Sequence, residues 1–278
     1  MTIFDQRYQD LLRQVRDQGT RVFNQRTQHW VRAVPGVHLS IDLETEDFPL
    51  LTLREIPPKL FIAEQLWFIS GSNRPSEFLQ QYTSIWNPFI SEDGTLTAAY
   101  GYRWRHHFGR DQLREFIELL RRDPSSRQAV VVAWDPARDG LLGEPQKNVP
   151  CPFSFMGNIL DGRLNLHVCM RANDLVIGAP YDIAGFALLQ CILAQELGLK
   201  PGVYSHSIAY AEFYEVHAPA VEELLERENT HAEIQLRLPE RSFGRAERQD
   251  DVLVKEIASS LAQQYHPSPK ISGLRVIQ

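Results

Sequence analysis

Two runs of alternating apolar and polar residues, Phe153 to Ile159 and Arg163 to Met170, are separated by little more than Asp161-Gly162. A pair of residues that tolerates positive φ at both positions fits a type I′ turn, whose twist matches that of the antiparallel strands it joins. The hairpin predicted here has a positional consequence. Asn148-Val149-Pro150-Cys151, which leads into the first run, is brought beside Arg171-Ala172-Asn173-Asp174, which leaves the second. A thiol at a sheet edge is thereby set next to a guanidinium, an arrangement that favours the thiolate.

Other periodicities complete an α+β chain. Helical spacing is read at Phe4 to Asp17, Lys59 to Ser70, Arg110 to Arg121, Ile183 to Leu197 and Ala218 to Arg227. Strand patterns are read at Val37 to Leu43, Gln128 to Trp134, Phe153 to Ile159, Arg163 to Met170 and Val203 to Phe213. No repeat, low-complexity stretch or Gly/Ser linker divides the chain, so residues 1–278 are read as one domain. Its 43% hydrophobic residues suffice for a sizeable core, and no apolar run is long enough to span a membrane. The net charge of -6 argues against a large nucleic-acid surface and leaves room for one or two phosphates at local arginine clusters; the expected ligand is small. The first residues lack the apolar centre of a signal peptide. The three cysteines have neither disulfide-framework nor zinc-finger spacing, so a cytoplasmic protein without a structural metal is expected.

Single residues stand out against this background. Glu64 lies in the otherwise apolar segment Ala63-Glu64-Gln65-Leu66-Trp67-Phe68-Ile69, where an ionised carboxylate is costly to bury alone. Cys151 competes with the ordinary reading of a cysteine as a small buried hydrophobe, which Cys169 and Cys191 keep. Most arginines, Arg13, Arg16 and Arg110 among them, read as solvated charges.

From the Arg26 loop to Tyr214 the chain resembles the thymidylate synthase family. The resemblance rests on Pro150-Cys151; on Arg171 to Asp182, which matches the Arg-Ser-x-Asp to Pro-Phe-Asn motif; and on Glu64 to Gly71, which matches Glu-Leu-Leu-Trp-Phe-Leu-x-Gly. It also rests on Tyr100-Gly101-Tyr102-Arg103-Trp104-Arg105, on Asp123-Pro124-Ser125-Ser126-Arg127, and on the strand ending at Tyr214. It implies a single domain with a mixed sheet flanked by helices, a homodimer formed through the sheet, and 5,10-methylenetetrahydrofolate as co-substrate. Cys151 is then the nucleophile, while Glu64 and Tyr100 form a proton network. Arg26, Arg127 and Arg171 bind the phosphate, with Arg127 donated across the interface. Trp86, Phe89 and Asp174 lie toward the folate. Several positions depart from the family: Pro152 stands where histidine usually follows the cysteine, Gln128 replaces a second cross-subunit arginine, and Ala172 replaces a phosphate-binding serine.

Two departures bear on substrate. Asp182 stands where the family's asparagine reads uracil. A carboxylate suits cytosine, accepting from the 4-amino group while a proton on the acid or on N3 completes the second contact. The same change marks deoxycytidylate hydroxymethylases within the family; an aspartate here would also serve as N-cap of the helix read from Ile183. Glu212 replaces the sugar-binding histidine, and a carboxylate can accept from both hydroxyls of a ribose, which favours a ribonucleotide, with Tyr214 retained beside it. The expected reaction is C5 hydroxymethylation of CMP through a Cys151–C6 adduct, in a nucleoside-antibiotic pathway or phage-type base modification. The end of the chain, Gly273 to Gln278, lacks the family's apolar closing tail, which is expected to admit water. The alternatives are a dCMP hydroxymethylase, a thymidylate synthase acting on dUMP, and a non-catalytic nucleotide- or RNA-binding homodimer.

Overall fold

The computed structural model describes residues 2–141, 148–229 and 234–277; Gln278, part of the tail read above, lies outside them. Helix α1 (Ile3–Gln18) begins with a capping box in which Thr2 and Asp5 satisfy each other's backbone N–H. The strands are β1 (Thr20–Asn24), β2 (His29–Asp42), β3 (Val130–Val132), β4 (Pro152–Leu160), β5 (Arg163–Met170), β6 (Asn173–Asp174) and β7 (Lys200–Tyr214). They form one mixed sheet in the order β1-β2-β7-β5-β4-β3, with the short β6 also paired to β7. β7 runs parallel to β5 and β6 and antiparallel to β2. The parallel pairing requires a crossover, which α5 (Gly178–Leu197) supplies between β6 and β7.

The predicted hairpin is present. Asp161 and Gly162 take φ of 51° and 71°, and β4 and β5 pair from Leu160↔Arg163 back to Pro152↔Met170. Helix α2 (Pro58–Ser70) starts at the prolines and ends on Gly71 in the left-handed region, where glycine carries no Cβ penalty. Residues Tyr100–Tyr102 form α3, which continues as a π-helical turn over Arg103–His107. Gly101 is where α3 meets α2: a Cβ there would stand 1.9 Å from the Phe68 carbonyl oxygen, so this close approach admits only glycine. The remaining helices are α4 (Gln112–Arg122), α6 (Ala218–Glu226), α7 (Ser242–Glu247) and α8 (Asp251–Ala262).

Helix α5 is largely apolar on all sides and, apart from the half-buried Tyr181, Asp182 and Cys191, is buried from Ala179 to Ala194, with α2 packed against it and α7 and α8 closing over α2. Residues Tyr204, His206 and Ile208 of β7 face this core, whereas Val203, Ser205 and Ser207 of β7 and Asn165, His167 and Cys169 of β5 remain half-exposed on the other face. Among the described residues no helix is long and apolar enough to cross a membrane.

The structure corrects three expectations. Helix α5 starts at Gly178 rather than Ile183, so Asp182 lies inside the helix and is not its cap. The chain turns into α5 because Asp174 Oδ1 accepts from the backbone N–H of Val176 at 2.9 Å and of Ile177 at 3.3 Å, and Pro180 is harmless in a first turn whose N–H groups have no intrahelical partner to lose. β2 is twice the length read from Val37, running through Pro35-Gly36 without losing register against β7. Strand β1 and helices α7 and α8 were not anticipated.

Candidate active site

The hairpin sets Cys151, which immediately precedes β4, opposite Arg171, which immediately follows β5. The Arg171 backbone N–H donates to the Cys151 carbonyl at 2.9 Å. Its side chain donates to the carbonyls of Pro150 at 2.9 Å and Val149 at 3.1 Å and comes within 3.5 Å of the Cys151 sulfur. Most of this guanidinium is therefore engaged in holding the cysteine segment. The expected thiolate is not favoured. Burial pushes the Cys151 thiol up, with Asp182 and Glu212 acting in the same sense, and outweighs the opposing charges of Arg171 and Arg26.

Asp182 approaches the same space from α5. Burial raises its carboxyl to about 6, with a hydrogen bond from Asn173 opposing and the charge of Asp174 adding. Glu64 reaches in from α2 and accepts from Trp86 Nε1 at 2.6 Å. Burial lifts it to about 7, the Trp86 bond opposing and the Asp182 charge adding. Tyr100 of α3 has its phenol raised well above the usual value by burial and then by Cys151, Asp182 and Glu64, while Arg171 opposes. Cys151, Asp182, Glu64 and Tyr100 are thus close enough for their charges to act on one another, and the space they share is the candidate recess. One wall is aromatic: Trp86 lies 5.5 Å from Tyr100, 6.0 Å from Trp67 and 6.1 Å from both Phe68 and Phe89.

The other end of the recess is formed by β6, β7 and the β1–β2 loop. Pairing of Asp174 with Glu212 puts these carboxylates side by side on parallel strands. Glu212 is buried, and its Oε2 has no hydrogen-bond partner. Burial and Asp174 raise its carboxyl to about 7 against the pull of Arg26 and Arg171. The exposed Arg26 is set by Asn24 Oδ1, which accepts from the backbone N–H of Arg26 and Thr27, and its charge also reaches Tyr214. Ala172 is half-buried between Arg171 and Asn173. Asp174 has Oδ1 engaged at the start of α5, and burial raises it to about 6. Arg127 and Gln128 are exposed on the turn after α4 and are not brought to this recess within the chain. No group of three metal-ligating side chains occurs among the described residues.

Sequence reasoning passed over Asn173, His206 and Tyr204. Asn173 Nδ2 donates to Asp182 Oδ2 at 2.8 Å, His206 Nε2 lies 3.1 Å from Asn173 Oδ1, and the Tyr204 hydroxyl lies 2.8 Å from His206 Nδ1. The available signal was the alternation of β7, which sends Tyr204 and His206 to the core side. It also passed over Arg54, buried under Asp174 and Tyr181, which donates to the Val176 carbonyl at 2.7 Å.

The profile of the thymidylate synthase family matches residues 6–275, nearly the whole chain, and the protein belongs to that family. It is thus a one-carbon transferase of a family that uses methylenetetrahydrofolate to modify C5 of a pyrimidine nucleotide.

Proposed function

We propose that this protein hydroxymethylates C5 of cytidine 5′-monophosphate. The observation that carries the reading is Asp182, a carboxyl held next to Cys151 with Oδ2 accepting from Asn173. An oxygen already receiving one N–H has a second lone pair for the 4-amino group of cytosine, whereas the carbonyl at C4 of uracil would meet it lone pair to lone pair. Glu212 supports ribose: a buried carboxylate oxygen without a partner suits the two donors of a cis-diol. Burying those donors against it would favour the ionised form of a group that otherwise titrates near 7.

In the reaction, Cys151 adds through sulfur to C6, and the electron pair released toward C5 and N3 is met by a proton that the Asp182 carboxyl gives to N3, the thiol proton replacing it on that carboxyl. Arg171 and Arg26 oppose the burial that keeps the thiol protonated, and they face the phosphate together with Arg127 from a second subunit. Bound folate supplies a one-carbon unit at the methylene level. The half-buried faces of Trp86 and Phe89 fit a flat ring system of that kind. Glu64, near 7, is the group that takes the proton from C5, and the protonated phenol of Tyr100 belongs to the same network. Two carboxyls, Glu64 near 7 and Asp182 near 6, flank the place where the new substituent forms. They suit the holding and deprotonation of a water, which supports hydroxymethyl over methyl as product.

A second copy would cover the half-exposed sheet face of β5 and β7, and Arg127, which is exposed, would serve that partner's phosphate. The test is tritium release from [5-³H]CMP in the presence of methylenetetrahydrofolate. Release that Cys151→Ser abolishes supports the reading; release from [5-³H]dUMP alone overturns it.

A further inference from the structure

The hydrogen bonds behind Asp182 form an unbroken line from the centre of the sheet to the recess. Tyr204 and His206 on β7 are 0% and 1% exposed and Asn173 on β6 is 4% exposed, so each of their polar atoms depends on protein partners. Burial, reinforced by His167 and His38, drives His206 down to about 3, so its ring is neutral at working pH and has one N–H and one lone pair. Two directions are then conceivable. In one, the Tyr204 O–H donates to Nδ1, Nε2–H donates to Asn173 Oδ1, and Asn173 Nδ2 donates to Asp182 Oδ2. In the other, every donor is reversed, the Asn173 amide is turned, and Asp182 must carry a proton on Oδ2.

The buried end decides between them. The Tyr204 hydroxyl makes no other hydrogen bond among the described residues, so in the reversed direction its hydrogen has no acceptor. An orphaned buried donor forfeits the hydrogen bond it had to water and is strongly disfavoured. The forward direction satisfies the phenol, both ring nitrogens and both ends of the amide, and it is the direction the Asn173 amide takes at 2.8 Å from Asp182. Gly178 leaves space for the last link: a Cβ there would lie 3.4 Å from both Asn173 Nδ2 and Asp182 Oδ2.

We propose that Tyr204, His206 and Asn173 are specificity-determining positioning residues: a one-way relay that makes Asp182 Oδ2 an obligate acceptor, confines any proton on that carboxyl to Oδ1, and so admits a pyrimidine with an amino donor at C4 while rejecting one with an oxygen there. The proposal rests on the reading of Asp182 as the base contact. It extends specificity from one residue to three that touch no substrate. The other groups that face Asp182 are Glu64, Asp174, Cys151 and Tyr100, and among the described residues none of them donates a hydrogen bond to Oδ2.

The test uses two variants of the full chain. Tyr204→Phe deletes one hydroxyl from the buried end, and Asn173→Ala deletes the amide beside Asp182; circular dichroism confirms that each folds. The first readout is the ligand-free titration of Asp182 by ¹³C-carboxyl NMR, with the resonance assigned by its loss in Asp182→Asn. The relay predicts an upward shift in both variants, and an unchanged titration overturns it whatever the substrate is. The second is the ratio of kcat/KM for CMP to that for UMP. The relay predicts a fall of at least about ten-fold, the equivalent of about 1.4 kcal/mol, while equal losses on both nucleotides would reduce the three residues to packing and overturn the proposal. Should the unaltered protein prefer UMP, the CMP reading fails on its own, and the carboxyl titration still decides whether the relay exists.

Discussion

Replacing Asp182 by asparagine, the residue the family uses to read uracil, is expected not to convert this site by itself. The reason lies 2.8 Å away, where Asn173 Nδ2 donates to Asp182 Oδ2. In Asp182→Asn the new amide must turn its oxygen toward that donor, which leaves its NH2 in the place of Oδ1. An oxygen that accepts and an NH2 that donates is still the complement of cytosine's 4-amino group and N3. Reading uracil requires the amide to rotate by half a turn, which brings two NH2 groups face to face. Leaving a buried donor unsatisfied costs about 1–3 kcal/mol, or roughly a 5- to 150-fold bias against the uracil orientation. Reversing the line back to Tyr204 instead strands its hydroxyl hydrogen at a similar cost. Loss of the carboxylate should independently slow CMP turnover by about 10²- to 10³-fold, the range found when a group that stabilises developing charge is removed. The assay is kcat/KM for CMP and UMP in the parent, Asp182→Asn, Asn173→Ala and the double variant, treated as a double-mutant cycle. The double variant should gain UMP activity over Asp182→Asn by about the bias estimated above. Complete conversion to UMP by Asp182→Asn, with nothing added by Asn173→Ala, would refute the reasoning.

Glu212→Gln should lower the CMP to dCMP ratio of kcat/KM by about ten-fold or more, because one carboxylate oxygen that accepts from the diol becomes a donor; a parallel loss on both nucleotides would remove Glu212 from sugar recognition. Burial holds Glu64 near 7 against an ordinary 4.5, so its protonated form contributes stability that is complete below about 4.5 and is lost as pH rises through 7. Glu64→Gln keeps an acceptor for Trp86 and should therefore be the more stable protein at pH 8, by up to about 3 kcal/mol in urea unfolding, with little difference at pH 4; greater stability of the parent at pH 8 would contradict this. Mixing inactive Cys151→Ser and Arg127→Ala proteins under conditions of subunit exchange should restore activity, since one recess in each mixed dimer then has both an intact Cys151 and an intact Arg127 from its partner. A mixture as inactive as its parents would argue against a shared site.

The parts of the structure legible in the sequence are those where one local pattern agrees with its surroundings. Asp161-Gly162 between two alternating runs specifies the hairpin, and with it the meeting of Cys151 and Arg171, because turn chemistry and strand period point the same way. Only the part of β2 after Pro35-Gly36 is legible as a strand; the pair is tolerated within the longer strand through its unbroken register with β7. Helix α8 has a legible signature in the Asp250 cap and in Leu253, Val254, Ile257, Ala258 and Leu261 on one face. The start of α5 was misplaced because Gly178 and Pro180 read as loop residues, whereas the turn is made by the Asp174 carboxylate, a tertiary arrangement no propensity encodes. In the recess, motif residues announced themselves by type and spacing. The thiol's upward displacement did not, because it depends on how far burial outweighs two arginines. Nor did the line from Tyr204 to Asp182, which joins β7, β6 and α5 across the fold.

The central claim is tested most directly by mass spectrometry of the products formed when the protein is given methylenetetrahydrofolate and an equimolar mixture of CMP, dCMP, UMP and dUMP. The account predicts a gain of CH2O on CMP. A gain of CH2 on dUMP, with CMP untouched, would contradict it.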